Sequence, residues 1–283
     1  MRDDFAVLIL SHGRADRVYT VQTLRKGGYT GRIFVVVDNE DDQIEDYKRL
    51  YGGQNVIVFD KPEAMKSCDT MDNYGKHNIV LYARNSCFRI AKELGLNYFL
   101  ELDDDYTSFD FRFPNKGKLS AAKCKQLDRM FEDMIEFLVA SDSLVVALSQ
   151  GGDYMGGVNG KYYHKMLSRK AMNAFFCRVD RPFYFFGTIN EDTNMYITLG
   201  SRGEKIFSVT QASIIQKETQ SNAGGLTDIY LDVGTFVKSF YSVMTMPSCV
   251  KVAMMGQTHR RMHHKINWKC CVPLILNESY RKQ

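Results

Sequence analysis

Asp103, Asp104 and Asp105 stand together at the end of the apolar run YFLEL, residues 98–102. Adjacent carboxylates repel one another unless something neutralises them. Oxygens at alternate positions, here Asp103 and Asp105, suit a hard divalent cation such as Mg²⁺ or Mn²⁺, which in turn binds a diphosphate. The same run also suits an acidic turn that caps the next segment. A second candidate group is basic. Residues 251–283 carry Lys251, Arg260, Arg261, Lys265, Lys269, Arg281 and Lys282 against Glu278 alone, a net +6 in a chain whose total is +4. His259, His263, His264 and the sole tryptophan, Trp268, fall in the same stretch. Such a segment suits a phosphate group or a nucleic-acid backbone, and equally a solvated basic surface.

Other chemistries lack their residues. After the first apolar run, Ser11-His12-Gly13-Arg14 supplies one glycine where a dinucleotide-binding fingerprint needs three. Neither a P-loop nor a G-x-S-x-G elbow occurs, and the seven cysteines include no Cys-x-x-Cys pair, which fits reduced thiols better than a disulfide framework or a zinc cage.

The elements that must position the acidic run read as α/β. Strands are expected at 5–11, 33–37, 56–59, 98–102, 144–148 and 205–211, with a strand-like aromatic stretch at 162–186. Helices are expected at 17–24, 40–51, 79–94, 123–140, 191–199 and 230–244. Strands alternating with helices imply βαβ units and a mostly parallel sheet, with ligands beyond the strand C-termini. The glycines of 151–157 and Gly224-Gly225 suit turns, or backbone that approaches a ligand closely. Composition is that of a globular protein, 45% hydrophobic and 25% charged, and five-residue apolar runs are far short of a membrane span. With no secretory signal in view, a cytoplasmic protein without a membrane partner is expected. The chain reads as one domain, 1–283, with a nucleotide-sugar half at 1–110, an acceptor half at 111–250 and the basic segment at 251–283.

From Ala83-Arg84-Asn85 through Gly95 and the strand to Asp105, the pattern resembles glycosyltransferases of the GT-A fold, a Rossmann-like sandwich with an Asp-x-Asp motif. Asp38, at the end of an earlier strand, and Glu191-Asp192, opening a helix, fall where that family has a base-contacting Asp and a catalytic Glu-Asp pair. The run Gln220–Thr227 (QSNAGGLT), with Tyr230, Gly234-Thr235, 237–242 and Pro247–Val252, is similar to the TET-associated glycosyltransferase family. That resemblance implies transfer of a sugar from a nucleotide donor, a UDP-sugar, to the hydroxymethyl group of 5-hydroxymethylcytosine in DNA, as in phage DNA hypermodification. It implies Asp103 and Asp105 on Mn²⁺ or Mg²⁺, with His263 or His264 as a further ligand, and Asp192 beside Glu191 as the base. Ser11, Arg14, Asp38, Arg84, Asp103 and Asp104 would meet the donor, and Arg260, Arg261, Lys265 and Lys269 would meet DNA. Tyr162, Tyr163, Tyr184 and Phe185 suit stacking on an extruded base or, equally, a core. A protein Ser/Thr glycosyltransferase and a catalytically inactive sugar-nucleotide-binding module are the competing expectations.

Overall fold

The computed structural model describes residues 1–75, 78–216, 227–256, 260–273 and 278, with 227–235 described by backbone alone. Strands β1 (Phe5–Leu10), β2 (Arg32–Asp38), β3 (Val56–Phe59) and β4 (Tyr98–Asp103) alternate with helices α1 (Tyr19–Lys26), α2 (Ile44–Tyr51), α3 (Lys61–Ser67) and α4 (Val80–Glu93). Then come β5 (Tyr106–Asn115), β6 (Lys118–Lys123), α5 (Leu127–Ala140), β7 (Val145–Ser149), β8 (Ala174–Arg178), α6 (Glu191–Ser201) and β9 (Ile206–Gln216). The chain continues through α7 (Thr227–Thr245), β10 (Val250–Met255), β11 (Arg261–Ile266) and α8 (Trp268–Cys271).

The large sheet has the order β3-β2-β1-β4-β8-β7-β9-β5-β6. Its first four strands are parallel, as crossover helices require, and β8 and β5 alone oppose the remaining strands. Strand β1 explains the unbroken apolar runs. Ala6, Leu8 and Leu10 pack with Cys87, Phe88 and Ile90 of α4 on one face, while Phe5, Val7 and Ile9 pack with Phe131 and Ile135 of α5 on the other. A strand covered on both faces has no polar alternation to show.

Two expectations are corrected. The helix expected at 123–140 starts later, at Leu127, because Lys123 ends β6, which pairs with β5. Of the aromatic stretch 162–186, only Ala174–Arg178 is a strand. Strands β10 and β11, which hold much of the basic segment, pair antiparallel and pack on α7. Among the described residues no helix is long and apolar enough to cross a membrane.

Candidate active site

Strands β1, β2 and β4 lie side by side and end together, so Ser11, Asp38 and Asp103 emerge at one edge of the sheet. The Ser11 hydroxyl donates to Asp104 Oδ2 at 2.6 Å and lies 2.8 Å from the Tyr47 hydroxyl. Arg14 reaches the other Asp104 oxygen at 3.2 Å, and its backbone N–H donates to Tyr47. The middle carboxylate of the acidic run is thus tied to the end of β1. Asp38 is buried between His12 Nδ1 at 2.7 Å and the buried Lys61 Nζ at 3.2 Å. Burial pushes its carboxyl up, but those two cationic partners outweigh burial and hold it below the ordinary range. His12 is raised by its hydrogen bond to Asp38.

Arg84 is the hub of the site, only 1% exposed. Its guanidinium bonds Glu101, donates from Nε to Glu191 at 3.1 Å, and donates from Nη2 to Asp103 at 3.3 Å and to Asn173 at 3.2 Å. Phe175 and Phe185 flank it, their ring centroids 5.4 and 5.6 Å away. Expected at the donor, Arg84 instead faces carboxylates inside the protein, where it joins the acidic run to the start of α6. Glu101 is a further member of the site that sequence reasoning misses. Its one signal is a charged residue in the middle of the apolar run YFLEL, and burial pushes its carboxyl up to about 7 despite Arg84. Tyr106, directly after the acidic run, donates to the carbonyl of Asn173 at 2.5 Å, while Asn173 itself is held at φ 58°.

Glu191 and Asp192 occupy the first turn of α6 and are both buried. The residue before them, Asn190, sits at φ 57°, and its side-chain amide donates to the Lys238 carbonyl at 2.9 Å and to Ser242 Oγ at 3.1 Å. The helix start is therefore fixed by α7. Asp192 Oδ1 accepts the Thr193 N–H at 2.6 Å. Burial raises both carboxyls above their ordinary range, Glu191 further because of Asp192, while Arg84 opposes the shift at each. The Lys238 ammonium acts on Asp192 and Glu191 from α7 and is itself lowered by burial. Nothing in the sequence marks this lysine out from the others.

The tail closes on the same region. Burial, with Arg261 and Lys238 nearby, lowers His263, and burial lowers His264 to about 4, so both imidazoles are neutral at pH 7. Their rings stack at 4.3 Å. Arg260, Arg261, Lys265 and Lys269 are exposed. Tyr163 and Phe185 are core residues, whereas Tyr184 is 66% exposed. Glycines 152, 156 and 157 take positive φ in turns. Gly224-Gly225, the stretch 220–226, His259, Arg281 and Lys282 lie outside the described residues.

The metal expectation meets a mixed geometry. Among the described residues no group of three or more His, Cys, Asp or Glu side chains is drawn together to hold an ion. The acidic run is nevertheless short of positive charge. Asp105 Oδ1 is buried without a partner, and burial, with Asp103 and Asp104 adding, pushes its carboxyl up to about 7. Asp103 and Asp104 are raised by burial too. His264 Nδ1 is likewise buried and unpartnered. A carboxylate oxygen without a partner and a neutral imidazole are each of a donor type that a divalent cation takes, although the described residues do not gather them into one set.

No curated protein matches the chain in sequence. Two solved structures are similar at low identity. Glucosyl-3-phosphoglycerate synthase from Mycobacterium tuberculosis, in complex with Mn²⁺, UDP and glucosyl-3-phosphoglycerate, is 8% identical, with 96% of this chain and 88% of that one covered and a TM-score of 0.47. GalNAc-T7 with UDP, GalNAc and Mn²⁺ is 12% identical, with 86% of this chain and 51% of that one covered and a TM-score of 0.45. A family model does match, over residues 5–225, which span the β1–β4 edge, the acidic run and the start of α6, and the chain therefore belongs to the TET-associated glycosyltransferase family.

Proposed function

We propose that this glycosyltransferase moves a sugar from a UDP-sugar to the hydroxymethyl group of 5-hydroxymethylcytosine in DNA, using Mn²⁺ or Mg²⁺. The observation that carries the reading is the Arg84 bridge, which holds the Asp103 end of β4 against the Glu191-Asp192 start of α6 in one buried network. Leaving-group and acceptor chemistry need those two kinds of carboxylate side by side.

The donor would lie across the ends of β1, β2 and β4, with its diphosphate toward the acidic run. Asp103 and Asp105 would hold the metal, with His263 or His264 completing the set. The bound cation supplies charge neutralisation for the departing diphosphate. Arg14 and Ser11 orient Asp104, and the His12–Asp38–Lys61 cluster shapes the base end of the donor site. Asp192 takes the proton from the acceptor hydroxyl. Its raised carboxyl makes it a stronger base than an ordinary aspartate, while Arg84 and Lys238 favour its ionised form. A single displacement with inversion needs only this one base.

Arg260, Arg261, Lys265 and Lys269 would take acceptor phosphates, which position a nucleic acid without reading its sequence. The test is incubation with a panel of nucleotide sugars, each with hydroxymethylated DNA, unmodified DNA or a Ser/Thr peptide library, read by mass spectrometry. Transfer to hydroxymethylated DNA alone is expected. Efficient transfer to peptide alone would overturn the acceptor and leave the glycosyl transfer standing.

A further inference from the structure

Directly after the acidic run, the chain forms a hairpin whose composition differs from everything around it. Residues 111–126 carry Arg112, Lys116, Lys118, Lys123 and Lys125 and no Asp or Glu, a net +5. The four lysines are exposed, and none is in an ion pair with a described residue. The two faces of the hairpin are unlike. On one, Arg112 packs over the Tyr154 ring at 4.6 Å and donates to Ser213 Oγ at 3.0 Å, while Lys123, opposite Asp110 on the same face, is exposed on the outer strand. On the other, Phe111 and Phe113 stand 41% and 39% exposed, opposite the small residues Ala122 and Ser120, which leave the rings bare.

Lysines on an edge strand guard against stray strand pairing, but that role needs no open phenyl rings. Cations with flat apolar surface between them match a nucleic-acid strand, whose phosphates need counter-charge and whose bases stack. We propose that the β5–β6 hairpin is a docking arm for the DNA that flanks the acceptor base, its lysines on phosphates and Phe111 and Phe113 against bases. This rests on the DNA-acceptor reading above. At about 3.3 Å per strand residue, Phe111 stands at most ~20 Å and Lys116 at most ~36 Å from Asp105. The arm therefore reaches no further than roughly six to ten base pairs on one side of the target, at about 3.4 Å each.

The experiment titrates labelled hydroxymethylated duplexes of graded length against three proteins. They are the wild type, the K116A/K118A/K123A/K125A variant and the F111A/F113A variant, each from about 50 to 300 mM salt, over which four phosphate contacts alone change affinity about 600-fold. The lysine variant is expected to flatten the dependence of log Kobs on log[salt] by about 0.9 for each phosphate left unneutralised, about 3.6 for all four. The phenylalanine variant should keep the slope and bind about fivefold more weakly, or worse, for each ring that stacks. Both differences should vanish on duplexes trimmed to fewer than about six base pairs on either side of the target. DNA-independent donor hydrolysis should match wild type in both variants, and so should the melting temperature of the lysine variant, whose changed residues are exposed. Unaltered slope and affinity in both variants, with DNA still bound and modified, would overturn the arm and leave the function standing. A wild type that ignores DNA and modifies peptide would overturn both. Loss of self-association in F111A/F113A with DNA binding intact would assign the face to a second copy of the chain and overturn the proposal.

Discussion

Replacing Arg84 with Met, which keeps the volume and removes the charge, tests whether one guanidinium organises the site. Arg84 is 1% exposed and compensates Glu101, Asp103 and Glu191 at once. Its loss leaves carboxylates in the interior without their cation, and breaking a buried pair in this way costs about 3–5 kcal/mol. That is a large share of a total stability of ~5–15 kcal/mol. For a chain of this size, at about 2 °C per kcal/mol, the melting temperature should fall by roughly 6–10 °C. The matched control is Arg89→Met on the same helix, where the partner Glu93 lies 2.8 Å away but both side chains are more than half exposed. It should change almost nothing, because solvent already screens that pair. Urea denaturation of the three proteins, read by fluorescence and circular dichroism, gives both differences. An Arg84→Met loss below about 1 kcal/mol, or one no larger than that of Arg89→Met, would refute the idea that Arg84 neutralises the network.

Asp105→Asn should lower turnover at least about a hundredfold and remove the thermal stabilisation that Mn²⁺ gives the wild type, about 2.7 kcal/mol at a hundred times the Kd. Full activity in excess chelator would remove the metal from the reaction. Asp192→Asn should bind the donor normally, by calorimetry, yet turn over about 10²–10⁴-fold more slowly. NMR of the wild-type product should show an inverted anomeric centre, and retention would end the single-displacement reading. The His12–Asp38 contact predicts a pH-dependent stability gap between wild type and His12→Ala. Because His12 is raised by Asp38, its contribution is fully present below its unfolded pKa, about 6.5, and is lost as pH rises through the folded value. Denaturation midpoints at pH 5.5 and 9 should therefore differ more at the lower pH, and a gap that widens with pH would contradict the pairing.

The parallel half was legible because burial writes itself into sequence. The runs that became β1, β2 and β4 are apolar since helices cover both their faces, and α4 keeps a helical stripe because one of its sides is wet. The β5–β6 hairpin left no such trace. Its outer half is exposed on one face and carries lysine along the edge, so neither alternation nor an apolar run announces it. Within the site, Asp103, Asp105 and Asp192 were visible as carboxylates at element ends. The role of Arg84 was not. Its partners stand 17, 19 and 107 residues away in sequence, and only the sheet order brings them together.

The Tyr241 hydroxyl lies 2.6 Å from the Thr70 carbonyl oxygen and 2.5 Å from Asp72 Oδ2, and accepts the Thr188 N–H at 2.9 Å. One phenol on α7 thus pins two distant segments, and the Asn190 bonds to Lys238 and Ser242 add a third tie beside it. All of these anchors on α7 lie beyond residue 225, past the stretch that the family model matches. During synthesis, the ribosome will have released every carboxylate of the site well before it releases the helix that sets α6 in place. A nascent chain stopped at residue 225 would hold its reactive groups and still lack their alignment, so activity should switch on late in translation, after α7 has left the exit tunnel.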